Sequence, residues 1–455
     1  MQWTPQSVPE QGDWYARNMY VEGSNQYRHH VEHFGHPSRH GYKDLAHAWT
    51  GANWDPSTLV SRYAAAGARY LVALANHHDG FDCWNSRHQP WNSVRVGPRR
   101  DIVGTWRRIV RAQGLRFGAA FFAMQNWSWF AVSHGADRSG PLAGRPYDGG
   151  LSAGDGAGRW WNGLDPAALY GPARDAEAPP SGAYLANMAA RVRDLLDQHD
   201  PDLVFYTDRG LPFGELGLAL AAEQFSRRPD SVICTKAVPE PLRASLIWDK
   251  LPADIIEPDP WQMDICIGDW HYKQGQVYRT AADVVPYLVD VVAKNGNLLV
   301  NFPIRADGTL DAAEHAILDE LTAWFRVNGE AIHDTRPWRV FGEGPSRAEP
   351  VDFPFRKHRL GPGDVRFTEG EDALYAFIFA WPGDGGPLTI GSLGTAAGRV
   401  RRVSLLGGGP LAWRLVAERL EVTLPAVPPG RHAYALKLEG PGLGRRGRPA
   451  QERLT

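Results

Sequence analysis

The stretch "ARYLVALAN" (residues 68–76) is an apolar run with the length of a buried strand, and two histidines follow it directly. Similar runs recur along the chain: "LRFGAAFF" (115–122), "DLVFYTD" (202–208), "SVICTK" (231–236) and "NLLVNF" (297–302). Strands that are apolar nearly throughout are typical of parallel sheets that are covered on both faces. These runs therefore predict one buried parallel sheet.

Helical segments lie between these runs. "DPSTLVSRYAAAG" (55–67) has Asp-Pro at its start and Gly at its end, and "RDIVGTWRRIVRAQG" (100–114) and "TAADVVPYLVDVVAKNG" (280–296) also end in Gly. The alternation of strands and helices predicts an α/β fold. Because no GxGxxG follows an early strand, a (β/α)8-type, TIM-like barrel is favoured over a dinucleotide-binding sheet.

Two regions depart from the alternation. Residues 123–180 are rich in Gly, Pro, Asp and Ala, which predicts a long inserted loop that lies over the site or is partly mobile. After about residue 335, short alternating strands with Gly and Pro turns predict a C-terminal antiparallel β-sandwich. We therefore expect a catalytic barrel over 1–334, a β-sandwich over 335–440 and a tail over 441–455.

Composition excludes several classes of protein. The formal charge of −2 gives no basic footprint for nucleic acid or for an anionic membrane. The three cysteines, Cys83, Cys234 and Cys266, are widely spaced and form no CxxC pair, so they imply neither a disulfide framework nor a zinc knuckle. There is no apolar run of membrane-span length and no basic-plus-apolar leader, so as written the chain predicts a cytoplasmic protein.

The aromatic content is high, with 18 Trp, 15 Tyr and 17 Phe, and many of these residues stand beside polar ones. Core packing accounts for part of this content. A sugar site needs the same combination, because a pyranose has an apolar C–H face and a polar rim.

Polar residues close several of the predicted strands. His77, His78, Asp208 and Lys236 all fall at carboxyl ends, where barrels and open α/β sheets place their active sites. Asp208 is suited to be a nucleophile or a metal ligand, and also a turn carboxylate. His77, His78, Asp79 and Asp208 could form the ligand set of a metal-dependent hydrolase, so the residues alone leave metal chemistry open.

Six motifs occur in one order along the chain: "HHDGFDCWNS" (77–86), "WNSVRVGPRRDIVG" (91–104), "YTDRGLPFG" (206–214), "PDPWQMDICIGDWHY" (258–272), "KNGNLLVNFPIRADGTL" (294–310) and "VNGEAIHDTRPWRVFGEGP" (327–345). Together they closely resemble the retaining α-L-fucosidases of glycoside hydrolase family 29. The resemblance implies a barrel followed by a β-sandwich. It also implies an exo-glycosidase that cleaves terminal α-L-fucosyl or closely related linkages through a covalent glycosyl-enzyme. The implied substrate is a fucosylated oligosaccharide or glycoconjugate, and no cofactor or metal is needed.

The resemblance also implies roles for individual residues. Asp208 matches the nucleophile, and His77 and His78 match residues that hydrogen-bond sugar hydroxyls. Tyr206 matches an aromatic residue that lines the pocket, and Asp13 with Trp14 matches a carboxylate–Trp pair that binds the sugar. Trp84 lies in the loop after the histidines and is a further substrate-binding position.

The proton donor is harder to assign. A retaining glycosidase needs a second carboxyl about 5–5.5 Å from the nucleophile. Asp249 stands where the family usually has Glu, and Glu257 and Glu240 are alternatives in the same region. Gln262, where some family members carry Glu, cannot donate a catalytic proton.

Other departures from the family motif affect sugar binding. Gln2 takes the place of a sugar-binding His at the end of the first strand, so we expect a barrel that is missing that strand or is open there. Lys236 takes the place of an Arg and lacks its planar fork. A catalytically weak carbohydrate-binding protein on a fucosidase scaffold is therefore the alternative to an enzyme. Linkage, aglycone and oligomeric state, a homo-oligomer included, stay open.

Overall fold

The structure is a computed structural model that describes residues 2–206, 211, 214–238, 242, 245–252, 254–346, 360–382 and 387–445. Within these residues no helix is both long and apolar enough to span a membrane.

Seven parallel strands form one sheet in which spatial order equals chain order. They are β1 Tyr70–Asn76, β2 Arg116–Phe121, β3 Leu203–Tyr206, β4 Val232–Thr235, β5 Ile247–Asp249, β6 Trp261–Cys266 and β7 Gly296–Asn301. Among the described residues, β1 and β7 are the two edges of the sheet and do not pair with each other. The predicted TIM-like barrel is confirmed, and it is open between these two edges.

Helices precede, connect and follow these strands along the chain. They are α1 Tyr15–Asn18, α2 Asn25–His33, α3 Tyr42–Ala48, α4 Pro56–Ala65, α5 Ile102–Ala112, α6 Asn126–Trp129, α7 Pro166–Tyr170, α8 Gly182–His199, α9 Glu215–Arg227, α10 Ala281–Ala293 and α11 Ala312–Asn328. The predicted helices 55–67, 100–114 and 280–296 correspond to α4, α5 and α10. Asp55 caps α4 by accepting hydrogen bonds from the N–H groups of Ser57 and Thr58.

Side chains of the parallel strands alternate between two buried layers. One layer lies inside the sheet and contains Val72, Leu74, Ala120, Phe122, Phe205 and Cys234. The neighbouring residues in sequence point the other way and pack in the main core with the helices; they include Ala73, Phe121, Val204 and Tyr206. This parity decides which strand residues can reach a site inside the sheet.

The first residues lie beside both edges of the sheet. The backbone N–H of Gln2 donates to Asn301 Oδ1 at 2.8 Å, at the carboxyl end of β7. The indole of Trp3 donates to the carbonyl of Arg305 at 2.8 Å, and the hydroxyl of Thr4 donates to Asp79, after β1, at 3.0 Å. The segment therefore brings its side chains to the end of the sheet where the strands terminate.

Residues 123–180 contain short helices rather than the loop that the sequence predicted. The segment includes α6 and α7 and buries an aromatic interior. Its Asp148 accepts hydrogen bonds from Tyr20 at 2.6 Å and Tyr170 at 2.7 Å, and it pairs with Lys43 at 3.1 Å. These buried contacts fix the segment on the barrel, which its Gly-rich composition does not indicate.

The C-terminal strands form two antiparallel sheets, as predicted for a β-sandwich. The order of the first is β13-β12-β16-β10-β9-β8, and that of the second is β11-β15-β14. The strands are β8 Arg336–Glu343, β9 Val365–Glu369, β10 Ala373–Ile378, β11 Pro387–Ile390, β12 Arg402–Leu405, β13 Gly409–Pro410, β14 Trp413–Val416, β15 Arg419–Thr423 and β16 Tyr434–Glu439.

A buried seam joins the sandwich to the barrel. Trp324 of α11 stacks on Phe377 of β10, with the ring centroids 6.3 Å apart, and donates its indole N–H to the carbonyl of Ala433. Beside it, Asp290 of α10 pairs with Arg366 of β9 at 2.5 Å. The two parts therefore share both apolar and ionic contacts.

Candidate active site

The paired histidines directly follow β1 and are both buried. Nδ1 of His78 lies 2.6 Å from the carbonyl oxygen of Phe122 and donates to it. Nδ1 of His77 accepts from the side-chain amide of Gln6 at 2.9 Å. The Oε1 atom of that amide in turn accepts the backbone N–H of Ala16 at 3.4 Å, which fixes its orientation.

Both imidazoles are neutral at physiological pH. Burial lowers the pKa of His77 well below its ordinary value, and the neighbouring His78 and His271 lower it further. Burial also lowers the pKa of His78, although its hydrogen bond to Phe122 and the charge of Asp13 oppose the shift. With their Nδ1 atoms engaged, His77 presents an Nε2–H donor and His78 presents an Nε2 acceptor.

A carboxylate lies beside this pair. Asp13 Oδ1 is 2.7 Å from His271 Nδ1 and 3.8 Å from His77 Nε2. His271 is also held through Thr4, whose hydroxyl lies 3.0 Å from His271 Nε2 and 3.0 Å from Asp79 Oδ2. Donors and acceptors therefore alternate along this rim, as recognition of neighbouring sugar hydroxyls requires.

Among the described residues, one group of side chains could hold a metal ion, and it lies on the same rim. One ligand atom each from Asp13, His77 and His271 lies within 4.8 Å of the others. However, the Gln6 amide keeps the proton of neutral His77 on Nε2, the atom that a metal would need. Of the other ligands considered from the sequence, His78 bonds to Phe122 and Asp79 bonds to Tyr42, and Asp208 lies outside the described residues. The geometry thus favours hydrogen bonding to a ligand over metal ligation.

Two tryptophans extend the rim. Trp129, from α6, lies 5.7 Å from His78 and 6.1 Å from His77 between ring centroids. Its buried indole N–H has no hydrogen-bond partner in the described part of the chain. Trp14 is 46% exposed, adopts a left-handed backbone with φ 62°, and makes an edge contact with Trp129 at 6.4 Å. An aromatic wall therefore adjoins the polar groups.

A cluster of charged groups lies inside the sheet, at the ends of three successive strands. Lys236 follows β4, Asp249 ends β5 and Asp264 lies in β6. Lys236 Nζ is 3.6 Å from Asp249 Oδ2 and 3.2 Å from Asp264 Oδ2, and Asp249 Oδ1 accepts the backbone N–H of Asp264 at 3.0 Å. Lys236 also lies 6.0 Å from the ring of Trp270.

The charges in this cluster act on one another. Burial raises the pKa of Asp249 well above its ordinary value, the charge of Asp264 raises it further, and Lys236 opposes the shift. Burial lowers the pKa of Lys236, but the charges of Asp264 and Asp249 outweigh it and raise that pKa overall. The cluster therefore favours one proton shared by the two carboxyls and a charged amine.

A small cavity lies inside the sheet next to this cluster. Its lining is polar on one side and apolar on the other: Gln2, Asp264, Trp270 and Asn301, then Val72, Leu74, Ala120, Phe122, Phe205, Ile265 and Leu299. Gln2 Oε1 is buried there without a hydrogen-bond partner among the described residues. A polar atom left in this state is available to a ligand.

Three predicted site residues lie away from this cavity. Tyr206 points out of the sheet into the helix layer, and its neighbour Phe205 lines the cavity instead. Trp84 is fully buried, donates its indole N–H to Asp194 of α8 at 3.0 Å and does not line the cavity.

Glu257 is the third of these residues. Its backbone N–H donates to the carbonyl of Lys294 at 3.2 Å, and its carbonyl accepts from Asn295, just before β7 begins. Its carboxylate pairs with Lys250. Glu257 therefore lies at the amino-terminal edge of the sheet, opposite the cavity. Asp208 and Glu240 lie outside the described residues, so their predicted roles stay predictions.

Sequence reasoning missed three contributors. Asp264 lies within the quoted motif "PDPWQMDICIGDWHY", and its signal was a polar residue two positions after Gln262 in an otherwise apolar strand. His271 belongs to the same motif. Trp129 lies in the inserted segment and carries no local signal, because only the fold of that segment brings it to the histidines.

The family models agree with this architecture. The model described as Alpha-L-fucosidase matches residues 1–330, and the one described as Alpha-L-fucosidase C-terminal domain matches residues 361–439. Tissue alpha-L-fucosidase of Rattus norvegicus is 25% identical over 459 residues, which cover 96% of this chain and 86% of that protein. Plasma alpha-L-fucosidase of Homo sapiens is 26% identical over 394 residues, 83% of this chain and 73% of that protein.

Solved structures show the same fold. Thermotoga maritima alpha-fucosidase superposes with a TM-score of 0.70 at 24% identity, over 96% of this chain and 93% of that one. Alpha-L-fucosidase isoenzyme 1 from Paenibacillus thiaminolyticus gives a TM-score of 0.70 at 21% identity, over 96% and 94%.

The barrel and these relatives define the protein as a glycoside hydrolase. Because the first family model spans most of the chain, the protein belongs to the α-L-fucosidase family.

Proposed function

We propose that this enzyme is a retaining exo-α-L-fucosidase that acts on terminal α-L-fucosyl or closely related linkages of a glycan. The observation that carries the proposal is the rim, where a donor on His77, an acceptor on His78 and the carboxylate of Asp13 adjoin the ring of Trp129. A structure titled as Thermotoga maritima alpha-fucosidase in complex with fucose shares this fold, with a TM-score of 0.70.

The apolar side of the cavity supports a deoxy sugar. Phe122, Phe205 and Leu74 line it without offering a hydrogen bond from their side chains. A 6-deoxy sugar has a methyl group where other hexoses have a hydroxymethyl group. A methyl group can be buried against these side chains without loss, whereas a hydroxyl buried there would lose its hydrogen bonds to water.

The proposed chemistry is a double displacement. The carboxylate of Asp208 attacks the anomeric carbon while the bond from that carbon to the leaving oxygen breaks, and a carboxylic acid gives its proton to that oxygen. Water then attacks the same carbon, returns a proton to the acid and displaces Asp208. We place the acid in the charged cluster of Lys236, Asp249 and Asp264 inside the sheet. The sequence led us to expect Asp249 in this role.

The deciding experiment is hydrolysis of an aryl α-L-fucoside by the full chain and by Asp208→Ala. We expect turnover by the wild type and its loss in the variant. Added azide should restore cleavage in the variant and give a fucosyl azide of inverted configuration. A wild type that binds fucose but cleaves no fucoside would instead be a binding protein, and near-normal activity in Asp208→Ala would remove Asp208 from the mechanism.

A further inference from the structure

We infer that Asp264 is the carboxyl that exchanges the proton with the glycosidic oxygen, and that Asp249 is its buried positioning partner. The inference rests on the retaining mechanism proposed above. The sequence alone favoured Asp249 for this role and did not indicate Asp264.

Strand register gives the first argument. In the parallel pair of β5 and β6, Asp249 lies beside Gln262, so Asp264 is two residues further along. Two residues of a strand span roughly 6–7 Å. Because the strands run toward the end of the sheet that bears the histidines, Asp264 lies nearer than Asp249 to the entrance that a glycan would use.

Accessibility gives the second argument. The side chain of Asp264 is 14% exposed and lines the cavity, whereas that of Asp249 is 3% exposed and does not. Asp249 also has one oxygen bonded to the backbone N–H of Asp264. A general acid must reach the leaving oxygen within hydrogen-bond distance, and Asp264 is the member of the pair that faces the space where that oxygen would lie.

Charge balance gives the third argument. The cluster contains the carboxyls of Asp249 and Asp264 and the ammonium group of Lys236. A single proton on the carboxyl pair therefore makes the cluster neutral. Full ionisation would leave a buried negative charge, which is unfavourable. A carboxyl pair in this state holds a proton to higher pH than an isolated Asp does.

The other titratable groups that face the cluster stay neutral. Burial raises the pKa of the Cys234 thiol, and the charges of Asp249 and Asp264 add to this. Burial also raises the pKa of Tyr70, while His78 is neutral because burial lowers its pKa. Among the described residues that face the cluster, the carboxyl pair is therefore the group that can give a proton to the leaving oxygen.

Gln262 does not compete for this role. Its amide oxygen accepts from the Tyr70 hydroxyl at 3.3 Å, and its amide nitrogen contacts Cys234 Sγ at 3.5 Å, on the level of Asp249 and below Asp264. An amide has no proton to give at neutral pH. Asp264, one side-chain repeat further along the same strand face, supplies the carboxyl that Gln262 lacks.

The proton balance is complete with these groups. In the first step Asp264 gives the departing oxygen the proton that it shares with Asp249, and the pair becomes a dicarboxylate beside charged Lys236. In the second step a water molecule loses a proton to Asp264 and its oxygen bonds to the anomeric carbon, while the ester to Asp208 breaks. No further reactant is required.

The test compares Asp264→Asn, Asp249→Asn and, as a matched control, Glu257→Gln in the full chain. Two substrates are used: an aryl α-L-fucoside whose leaving group departs without a proton, and a fucosyl disaccharide. For Asp264→Asn we expect kcat/KM on the disaccharide to fall about 100- to 10,000-fold, the usual contribution of a general acid. On the activated substrate kcat/KM should fall less than about tenfold.

Azide provides a second measurement. In Asp264→Asn it should accelerate turnover of the activated substrate and give a fucosyl azide of retained configuration, because it attacks the glycosyl-enzyme without needing a base. This product differs from the inverted azide expected from Asp208→Ala. Should Asp264→Asn fail to fold, Asp264→Ser removes the same carboxyl and is judged by the same product.

Asp249→Asn should behave as a positioning variant. It removes one carboxyl of the pair but leaves Lys236, so the proton that the pair would share is held less tightly and the basic limb of kcat/KM should move to lower pH. Below that limb, the loss should be similar on both substrates. A purely structural role for Asp249 would lower the rate and leave the limb in place, and would overturn this part of the inference.

The remaining outcomes separate the two proposals. A leaving-group-dependent loss in Asp249→Asn and not in Asp264→Asn would return the acid to Asp249 and overturn this inference, while the retaining mechanism would stand. Equal losses on both substrates in Asp264→Asn would overturn it as well. A wild type that cleaves neither substrate would overturn the proposed function, and this inference with it.

Discussion

The side-chain amide of Gln6 donates a hydrogen bond to Nδ1 of His77 at 2.9 Å. This contact assigns the tautomer of a neutral ring, because the proton of His77 must then lie on Nε2, which faces Asp13. His78 has the opposite tautomer, because its Nδ1 donates to the carbonyl of Phe122. Two adjacent histidines thus offer different hydrogen-bonding atoms, and replacing either one should affect a different contact with the sugar.

Replacing His77 or His78 with Ala should weaken fucose binding by about 1–3 kcal/mol each, the cost of leaving a buried polar partner unsatisfied. Competitive inhibition by fucose against an aryl fucoside measures this loss. His33→Ala, at an exposed position on α2, is the control and should leave the inhibition constant unchanged. Full-strength binding in both site variants would show that the rim is not the sugar site.

Chelators should leave the activity unchanged. Asp13 Oδ1 and His271 Nδ1 are already hydrogen-bonded to each other, and Nε2 of His77 carries a proton. The measurement is the rate of fucoside hydrolysis after dialysis against EDTA, followed by addition of single divalent ions. Inhibition that one ion reverses would identify the enzyme as a metal-dependent hydrolase.

Glu314→Gln should remove a pH dependence of stability. Burial raises the pKa of Glu314 to about 9 in the fold, from 4.5 in a free chain. Between these values the folded protein binds one more proton than the unfolded one, so its free energy of unfolding falls as pH rises, by up to about 1.4 kcal/mol per pH unit. Gln keeps the capping hydrogen bond from Asp311 N–H and has no such titration.

Urea unfolding at several pH values from 5 to 8 measures this slope. Glu320→Gln is the control, because that side chain lies on the same helix and is 43% exposed. The slope should flatten in the first variant and persist in the second. An unchanged slope in Glu314→Gln would mean that Glu314 is ionised in the folded protein.

Arg366→Met should destabilise the seam between barrel and sandwich. Arg366 pairs with Asp290 at 2.5 Å, and both side chains are almost fully buried. Breaking a buried pair costs about 3–5 kcal/mol, although Lys294, 2.8 Å from Asp290, should keep the loss near the lower figure.

The midpoint of thermal unfolding measures this effect. Arg402→Met is the matched control, because Arg402 lies 3.7 Å from Glu439 in an exposed pair that should contribute about 0–1 kcal/mol. If the two variants had the same unfolding midpoint, the stability of the seam would not depend on the buried pair.

The fold could be predicted from the sequence because its signals are local. Apolar runs without alternation predicted the parallel strands, and capping residues predicted α4, α5 and α10. The same lack of alternation limited the prediction of the site. When both faces of a strand are apolar, the sequence does not show which residues point inward. The family resemblance implies that Tyr206 lines the pocket, whereas in the structure Tyr206 packs in the main core and its neighbour Phe205 lines the cavity.

Other site residues depend on contacts between distant parts of the chain. Asp13 and His271 are 258 positions apart, and neither sequence neighbourhood indicates the 2.7 Å contact between them. Glu257 was considered as the acid because it is close in sequence to Asp249. The connection after β5 returns the chain to the amino-terminal end of the strands, where Glu257 bonds to Lys294, a separation that only the topology shows.

The hydrogen bond between Gln2 and Asn301 spans 299 positions. A ribosome must therefore complete all seven parallel strands before Gln2 can meet this partner. Contacts of such long range form late, because the loop that they close is costly in entropy. Thr4 and Gln6 can meet Asp79 and His77 once β1 and the loop after it have been made, whereas the part of the cavity wall that Gln2 forms would be among the last parts of the enzyme to assemble.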